Sequence, residues 1–286
     1  MQNGRIKTAF GKARRLPLVP IAILGTVAVL ALFADFIAPY SPNAVSLWDK
    51  LLPPVWAEGG STAHLLGTDH LGRDIFSRLI FGARISVTVS VIAIGIGAFI
   101  GTFLGLLSGY MGGKVDLVIM RAADATIAFP MIIFALLLAV ALGPRFENVI
   151  IVVALVLWAR FARMIRGEAL SLKERDFVAR AKAYGASSWR IMWRHIFPNL
   201  LNTVVVLATL QVGWAILLEA SLSFLGAGIP PTTPSWGLMV AESRTYVTIA
   251  WWLPFLPGLA ITLTVLSLNL FGDWLRDALD PKLRQV

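Results

Sequence analysis

Four side chains able to ligate a metal or carry a proton, His64, Asp69, His70 and Asp74, crowd into the stretch "HLLGTDHLGRD". Metal ligands on one helix face recur at fixed steps, and these four do not. The plainer reading makes Asp69 and Asp74 turn and helix caps, or partners of Arg73 and Arg78, and no metal site is assigned. His195, the remaining histidine, falls on the other side of the membrane predicted below. The chain lacks Gly-x4-Gly-Lys-Ser/Thr, Gly-x-Ser-x-Gly and His-Glu-x2-His, and it has no cysteine. It therefore carries no phosphate cradle, acyl-transfer nucleophile, zinc-hydrolase pair or thiol of its own. No catalytic residue is assigned, and the chain is read as not an enzyme.

Two acids stand out because their surroundings are apolar. Asp124 follows Arg121 by three residues, so the two share a helix face and are expected to pair. Glu219 comes after a long uncharged run near the outer end of a predicted span. It is either an interfacial residue or part of a pore mouth or gate. Asp124 and Glu219 are thus the candidate gate or pathway residues.

The elements that must position these groups follow from composition. Of 286 residues, 57% are hydrophobic and only 14% charged, which is too little charge to cover a soluble domain of this size. Uncharged runs near the roughly 20 residues needed to span a bilayer occur at 16–34, 85–113, 125–144, 195–218 and 245–272. A shorter run, 148–159, continues through Phe161, Met164 and Ile165 while Arg160 and Arg163 snorkel toward headgroups. The sequence predicts an all-α polytopic membrane protein with six transmembrane helices. Arg5, Lys7, Lys12, Arg14 and Arg15 precede the first span without an acid, so both termini are placed in the cytoplasm. That span is longer than a secretory h-region and lacks a convincing cleavage site, so it is read as an uncleaved anchor. Of the 25 basic residues, only Lys50, Arg73, Arg78, Arg84, Arg145 and Arg244 fall outside. The net charge of +9 is therefore topological, and no nucleic-acid partner is expected.

The predicted layout is a cytoplasmic segment 1–17, a first span 18–38, an external segment 39–84, a five-helix core 85–272 and a cytoplasmic tail 273–286. The external segment is expected to hold a short amphipathic helix on the membrane, with Leu71, Ile75, Leu79 and Phe81 on its apolar side. Gly97, Gly101, Gly105 and Gly109 form a ridge at four-residue spacing. Such a ridge allows close helix approach, within one bundle or between subunits. An external loop is expected at 225–249, where "GAGIPPTTPSWG" cannot continue a helix.

The cytoplasmic loop 167–198 interrupts the apolar pattern with a basic, helix-forming stretch. Glu168 to Tyr184 contains no Pro or Gly, and Leu170, Phe177, Ala181 and Tyr184 suggest an apolar stripe. Gly185 suits a helix end, Ser187 or Ser188 can cap a second helix, and Pro198 marks the start of the next span. From the residues alone this helix–Gly–helix unit either binds anionic headgroups or inserts into a partner's groove.

"ARAKAYGASSWRIMWRHIFPN" resembles the loop motif of ABC-importer permeases, Glu-Ala-Ala-x3-Gly-x9-Ile-x-Leu-Pro. Ala181, Gly185 and Pro198 match, Phe197 takes the Leu place, and Ala179 stands where the motif has Glu. "HLLGTDHLGRDIFSRLIFGARIS", "GGKVDLVIMRAADATIAFP", "AILLEASLSFLGAGIPPTTPSWG" and "PGLAITLTVLSLNLFGDWLRDALDPKLR" resemble the second permease of dipeptide, oligopeptide and nickel importers, in order. The resemblance implies a type I ABC importer permease fold in the bacterial inner membrane. It also implies a heterodimer with a second homologous permease, two ATPase subunits that bind ATP and Mg, and an external solute-binding protein. The residues it assigns to ATPase docking are Arg180, Ala181, Gly185, Ala186, Ser187, Ser188, Trp189 and Arg190. Peptide is the expected solute, with nickel, glutathione or oligosaccharide as alternatives on the same machinery. A secondary transporter or channel is the more remote alternative, and no internal repeat supports it.

Overall fold

The computed structural model describes residues 16–279, and these are helical with no strand among them. The basic residues before the first helix, on which the cytoplasmic placement of the N-terminus rests, lie outside the described residues, as does the chain beyond Leu279. The first helix is α1, Leu18–Leu32, followed across Phe33 by the single turn α2, Ala34–Ile37. Then come α3, Ile75–Met111, α4, Gly113–Ala128, α5, Met131–Leu142, and α6, Phe146–Lys173. After these stand α7, Asp176–Ala183, α8, Ser188–Phe224, α9, Trp236–Ser243, and α10, Trp252–Leu279.

Four helices, α3, α6, α8 and α10, are long and apolar enough to cross a membrane. The pair α4–α5 makes a fifth only if it counts as one span, because it bends by 98°. The predicted continuous helix at 125–144 is therefore wrong. Its break is local chemistry: Phe129 precedes Pro130 and is held extended, with φ −80° and ψ 142°, where helix is disfavoured. The 15 residues of α1 reach about 22 Å, short of a roughly 30 Å hydrocarbon core. Four helices, or five with the bent pair, thus meet the length of a span, and the shorter apolar α1 stands beside them.

Other boundaries also move. The amphipathic helix expected in the external segment is the first part of α3, a continuous helix of 37 residues, and Leu71 lies in the loop before it. Asp74 caps that helix, accepting hydrogen bonds from the Ser77 amide and hydroxyl at 2.7 Å. Inside the expected external loop, α9 forms on Ser235, whose hydroxyl accepts from the Leu238 amide. The last span starts at Trp252, not near 245, because Arg244–Tyr246 forms a separate tight turn.

The glycine ridge packs inside this chain. A Cβ on Gly97 would lie 3.3 Å from the Ala154 carbonyl, and one on Gly109 would lie 2.8 Å from that of Arg166. Gly101 and Gly105 meet α6 at Trp158, Phe161 and Ala162 in the same register. Helix α3 thus lies backbone to backbone on α6, and the pair forms the spine of the bundle. One core surrounds the spine through Val89, Val153, Leu157, Phe161, Leu218 and Leu222. A second core, built on Ile165, Ala169, Val178, Met192, Ile196 and Leu200, ties α7 to one end of the bundle.

Candidate functional site

The basic insertion is not one helix from Glu168 to Tyr184. Helix α6 runs through Gly167 to Lys173, the chain breaks at Glu174 and Arg175, and α7 begins at Asp176. The predicted stripe also fails at both ends, since Leu170 is exposed and Tyr184 is 90% exposed. The buried side is Leu172, Val178 and Ala181.

The turn after α7 closes as the sequence predicts. Gly185 has φ +76°, a region that costs an ordinary side chain about 1–2 kcal/mol. Its amide donates to the Lys182 carbonyl at 2.9 Å, and the Ala186 amide donates to the Ala181 carbonyl at 3.0 Å. This pair of bonds is the Schellman closure, which satisfies carbonyls that a helix end leaves free. Ser187 then caps α8, its hydroxyl accepting from the Arg190 amide at 3.4 Å.

The residues singled out around this turn divide by depth. Ala181 and Ala186 face inward and form its root. Arg180, Gly185, Ser187, Ser188, Trp189 and Arg190 are exposed together at the tip, beside Tyr184. None of the cations Arg180, Lys182 and Arg190 makes an ion pair among the described residues. An aromatic chain runs inward from the tip: Trp189 to Trp193 at 5.6 Å, then Trp193 to Phe197 at 5.1 Å and to Phe103 of α3 at 6.0 Å. Around Trp193 the helix widens to a π-helical turn over Ile191–Ile196. Such turns frequently mark functional positions.

Asp124 and Glu219 do not sit together. Asp124 does not pair with Arg121; it accepts from Arg163 of α6 at 2.6 Å, a partner the sequence separates by 39 residues. Below this pair, Arg166 binds Asp116 at 2.5 and 2.6 Å. Glu219 is fully buried. It accepts hydrogen bonds from Ser223 at 2.8 Å, Ser235 at 3.0 Å and Ser86 at 3.1 Å, and so joins α8, the cap of α9 and α3.

A second polar cluster at that end was not anticipated as a whole. Arg73 binds Asp69 at 2.6 Å and Glu242 of α9 at 2.8 Å. Arg78 binds Glu242 at 2.7 Å and Asp69 at 3.4 Å. The Asp69 pairings match the sequence expectation, but Glu242, 164 residues from Arg78, carried no local signal. His64 Nδ1 lies 2.9 Å from Asp74, so His64, Asp69 and Asp74 are engaged with protein partners.

This geometry, an apolar bundle with a basic turn projecting from one end, fits what similarity finds. Residues 101–285 match the family "Binding-protein-dependent transport system inner membrane component". The chain belongs to this family. The permease is 43% identical over 260 residues to the di/tripeptide transport system permease protein DppC of Pseudomonas aeruginosa, covering 91% of this chain and 86% of that one. It is 44% identical over 275 residues to the dipeptide transport system permease protein DppC of Escherichia coli K12, covering 96% and 91%. Against the glutathione transport system permease protein GsiD of Escherichia coli O6:K15:H31 it is 47% identical over 256 residues, covering 90% and 83%.

The permease is thus an inner-membrane component of an ABC importer, as its motifs implied. Its role is permeation, not catalysis, and permeases of this family work with ATPase and substrate-binding subunits. Sequence reasoning missed Glu242, Tyr184 as the more exposed of the two aromatic residues at the tip, and the way α4 supplies the acids for α6. Only Tyr184 had a signal, its place one residue before the glycine.

Proposed function

We propose that this permease forms, with a second homologous permease, the pathway of a peptide importer. Two ATPase subunits binding ATP and Mg supply the energy, and an external binding protein supplies the solute. The peptide assignment rests on the relatives, whose named solutes are dipeptides, di/tripeptides and glutathione. We infer six spans, with residues 18–38 as the first and both termini cytoplasmic. The loop 167–198 then lies on the ATPase side.

One observation carries the docking role: a rigid, exposed tip on a buried root. Tyr184 and Trp189 are 90% and 57% exposed, while Val178, Met192 and Ile196 beneath them are nearly fully enclosed. An isolated loop would let its aromatic residues collapse onto the bundle. Here the Schellman closure and the Ser187 cap hold them outward, as a knob for a cleft needs. The Trp189–Trp193–Phe103 chain gives movement of the tip a packed route into α3. Asp124 and Glu219 hold α4 on α6 and α8 on α9 in line, and so support the pathway without moving as its gate.

Gly185→Asp tests the docking role. Aspartate tolerates positive φ better than most residues, and nothing lies within 4 Å of a Cβ built at this position. The variant should therefore fold and insert normally. In proteoliposomes with all partners it is expected to lose more than about 90% of ATP-driven uptake, because a carboxylate is added to a tip carrying Arg180, Lys182 and Arg190. Normal uptake by this variant would refute the assignment.

A further inference from the structure

Helix α6 carries Arg160, Arg163 and Arg166 on successive turns. The antiparallel helix α4 answers the lower two, with Asp116 on Arg166 and Asp124 on Arg163. The third rung has no acid. Opposite Arg160 the partner helix has broken at Pro130, and the guanidinium meets Met131 Sδ at 3.6 Å and the Trp214 ring at 5.3 Å. Arg78, Arg84, Arg163 and Arg166, also on the long helices, each reach a carboxylate within 3.5 Å. Arg160 reaches none among the described residues, and it is half-buried.

Its place makes this unusual. Arg160 is the fifteenth of the 28 residues of α6, about 20 Å from either end of the helix. A charge among apolar spans normally pairs or serves a pathway, and this one is held on Trp214 instead of snorkelling outward. Trp214, Leu217, Ser221 and Phe224 form one stripe along α8, at steps of three and four. Leu217, Ser221 and Phe224 of this stripe line an open groove of about 380 Å³ with Ile132, Val240 and Ile261. Ile132 follows the Met131 that touches Arg160, and Leu217 lies one turn above the Trp214 that stacks on it. The unpaired cation therefore stands about one helical turn below the groove, next to residues that adjoin its lining.

We propose that Arg160 contacts the carboxylate of the transported solute, completing the third rung as Asp124 and Asp116 complete the other two. This rests on the peptide reading, since every linear peptide with a free C-terminus carries such a group. A planar guanidinium with an aromatic floor suits a carboxylate held beside an apolar groove. Headgroup binding does not fit as well, because the side chain lies folded on Trp214 at mid-helix and is not extended toward either end.

The test uses the full complex in proteoliposomes, with Arg160→Gln and Arg160→Lys compared with the unsubstituted protein. The probe is one dipeptide as the free acid and as its C-terminal amide, each read as variant uptake relative to unsubstituted uptake, which cancels the binding protein's own preference. Arg160→Gln should lower free-acid uptake about tenfold and amide uptake less than twofold, and Arg160→Lys should recover part of the free-acid uptake. An equal fall for both probes, or no fall for either, overturns the proposal. So does a defect present only in vesicles of anionic lipid, which would mark a headgroup contact. Failure of both variants to co-purify with the partner subunits would mark an interface contact and overturn it as well. If the unsubstituted complex moves neither probe, the peptide reading itself fails. Uptake of both probes with an unchanged acid-to-amide pattern in Arg160→Gln sinks only the Arg160 assignment.

Discussion

The two ends of the permease treat charge in opposite ways. At the α9 end, Arg73, Arg78 and Asp69 are buried and neutralise one another together with Glu242, while the buried Asp74 pairs with His64. Glu219 nearby is enclosed by three serine hydroxyls. At the α7 end Arg180, Lys182 and Arg190 are exposed and make no ion pair among the described residues. One end is a clamp that closes on itself, and the other leaves its cations exposed and without ion pairs among the described residues. Charge density alone does not separate them; burial and pairing do.

The sharpest way to break this contrast is to cut the clamp. Arg78→Ala should cost the most, about 3 kcal/mol, because Asp69 and Glu242 keep their charges and lose a 1%-exposed guanidinium. Thermal unfolding of the detergent-solubilised protein checks it. Adding Glu242→Gln to that variant should cost clearly less than the two single changes summed, since they share one network. Full additivity would mean that the cluster is a crowd of separate contacts.

A smaller effect is expected at Glu219, and it separates clamp from gate. Glu219→Gln keeps the volume but replaces one carboxylate oxygen by an amide NH2, which donates and cannot accept. Ser86 and Ser235 already accept from the Trp236 and Leu238 amides, so their hydroxyl protons need an acceptor in return. The loss should be about 1–2 kcal/mol, with uptake per folded complex unchanged. If stability holds and uptake falls, Glu219 belongs to the moving pathway and not to the clamp.

The difference between the ends also governs what the sequence revealed. The turn at Gly185 was legible because its causes are local. Gly185 supplies positive φ, Ser187 caps the next helix, and both act within four residues of their partners. The Asp74 cap was legible for the same reason. Contacts that join distant segments were not. The nearby Arg121 lost Asp124 to Arg163, and the partners of Glu219 on α3 and before α9 lie 133 and 16 residues away. Hydropathy found the apolar runs but not where helices stop. It could not see that Phe129–Pro130 breaks one run, or that α6 continues past its last apolar turn to Lys173. Helix ends answer to backbone chemistry and packing, and those signals cross the boundary that charge draws.

The smallest effect on the chain itself is expected at the tip, where it is also the most informative. Tyr184→Ser with Trp189→Ser removes two large side chains that are mostly in solvent. Their loss should shift the stability of the isolated permease by no more than about 0.5 kcal/mol, as for other surface changes. Exposed aromatic side chains that fill a partner's cleft behave differently, since such anchors carry most of an interface's energy. The same double variant should therefore weaken ATPase retention by about tenfold or more in co-purification titrations, with the α9-end clamp intact. A large stability loss would show that the aromatic tip belongs to the fold. Unchanged retention would show that the exposed end meets something other than the ATPase. Only a stable chain that has lost its partner keeps the two ends as different as their burial makes them.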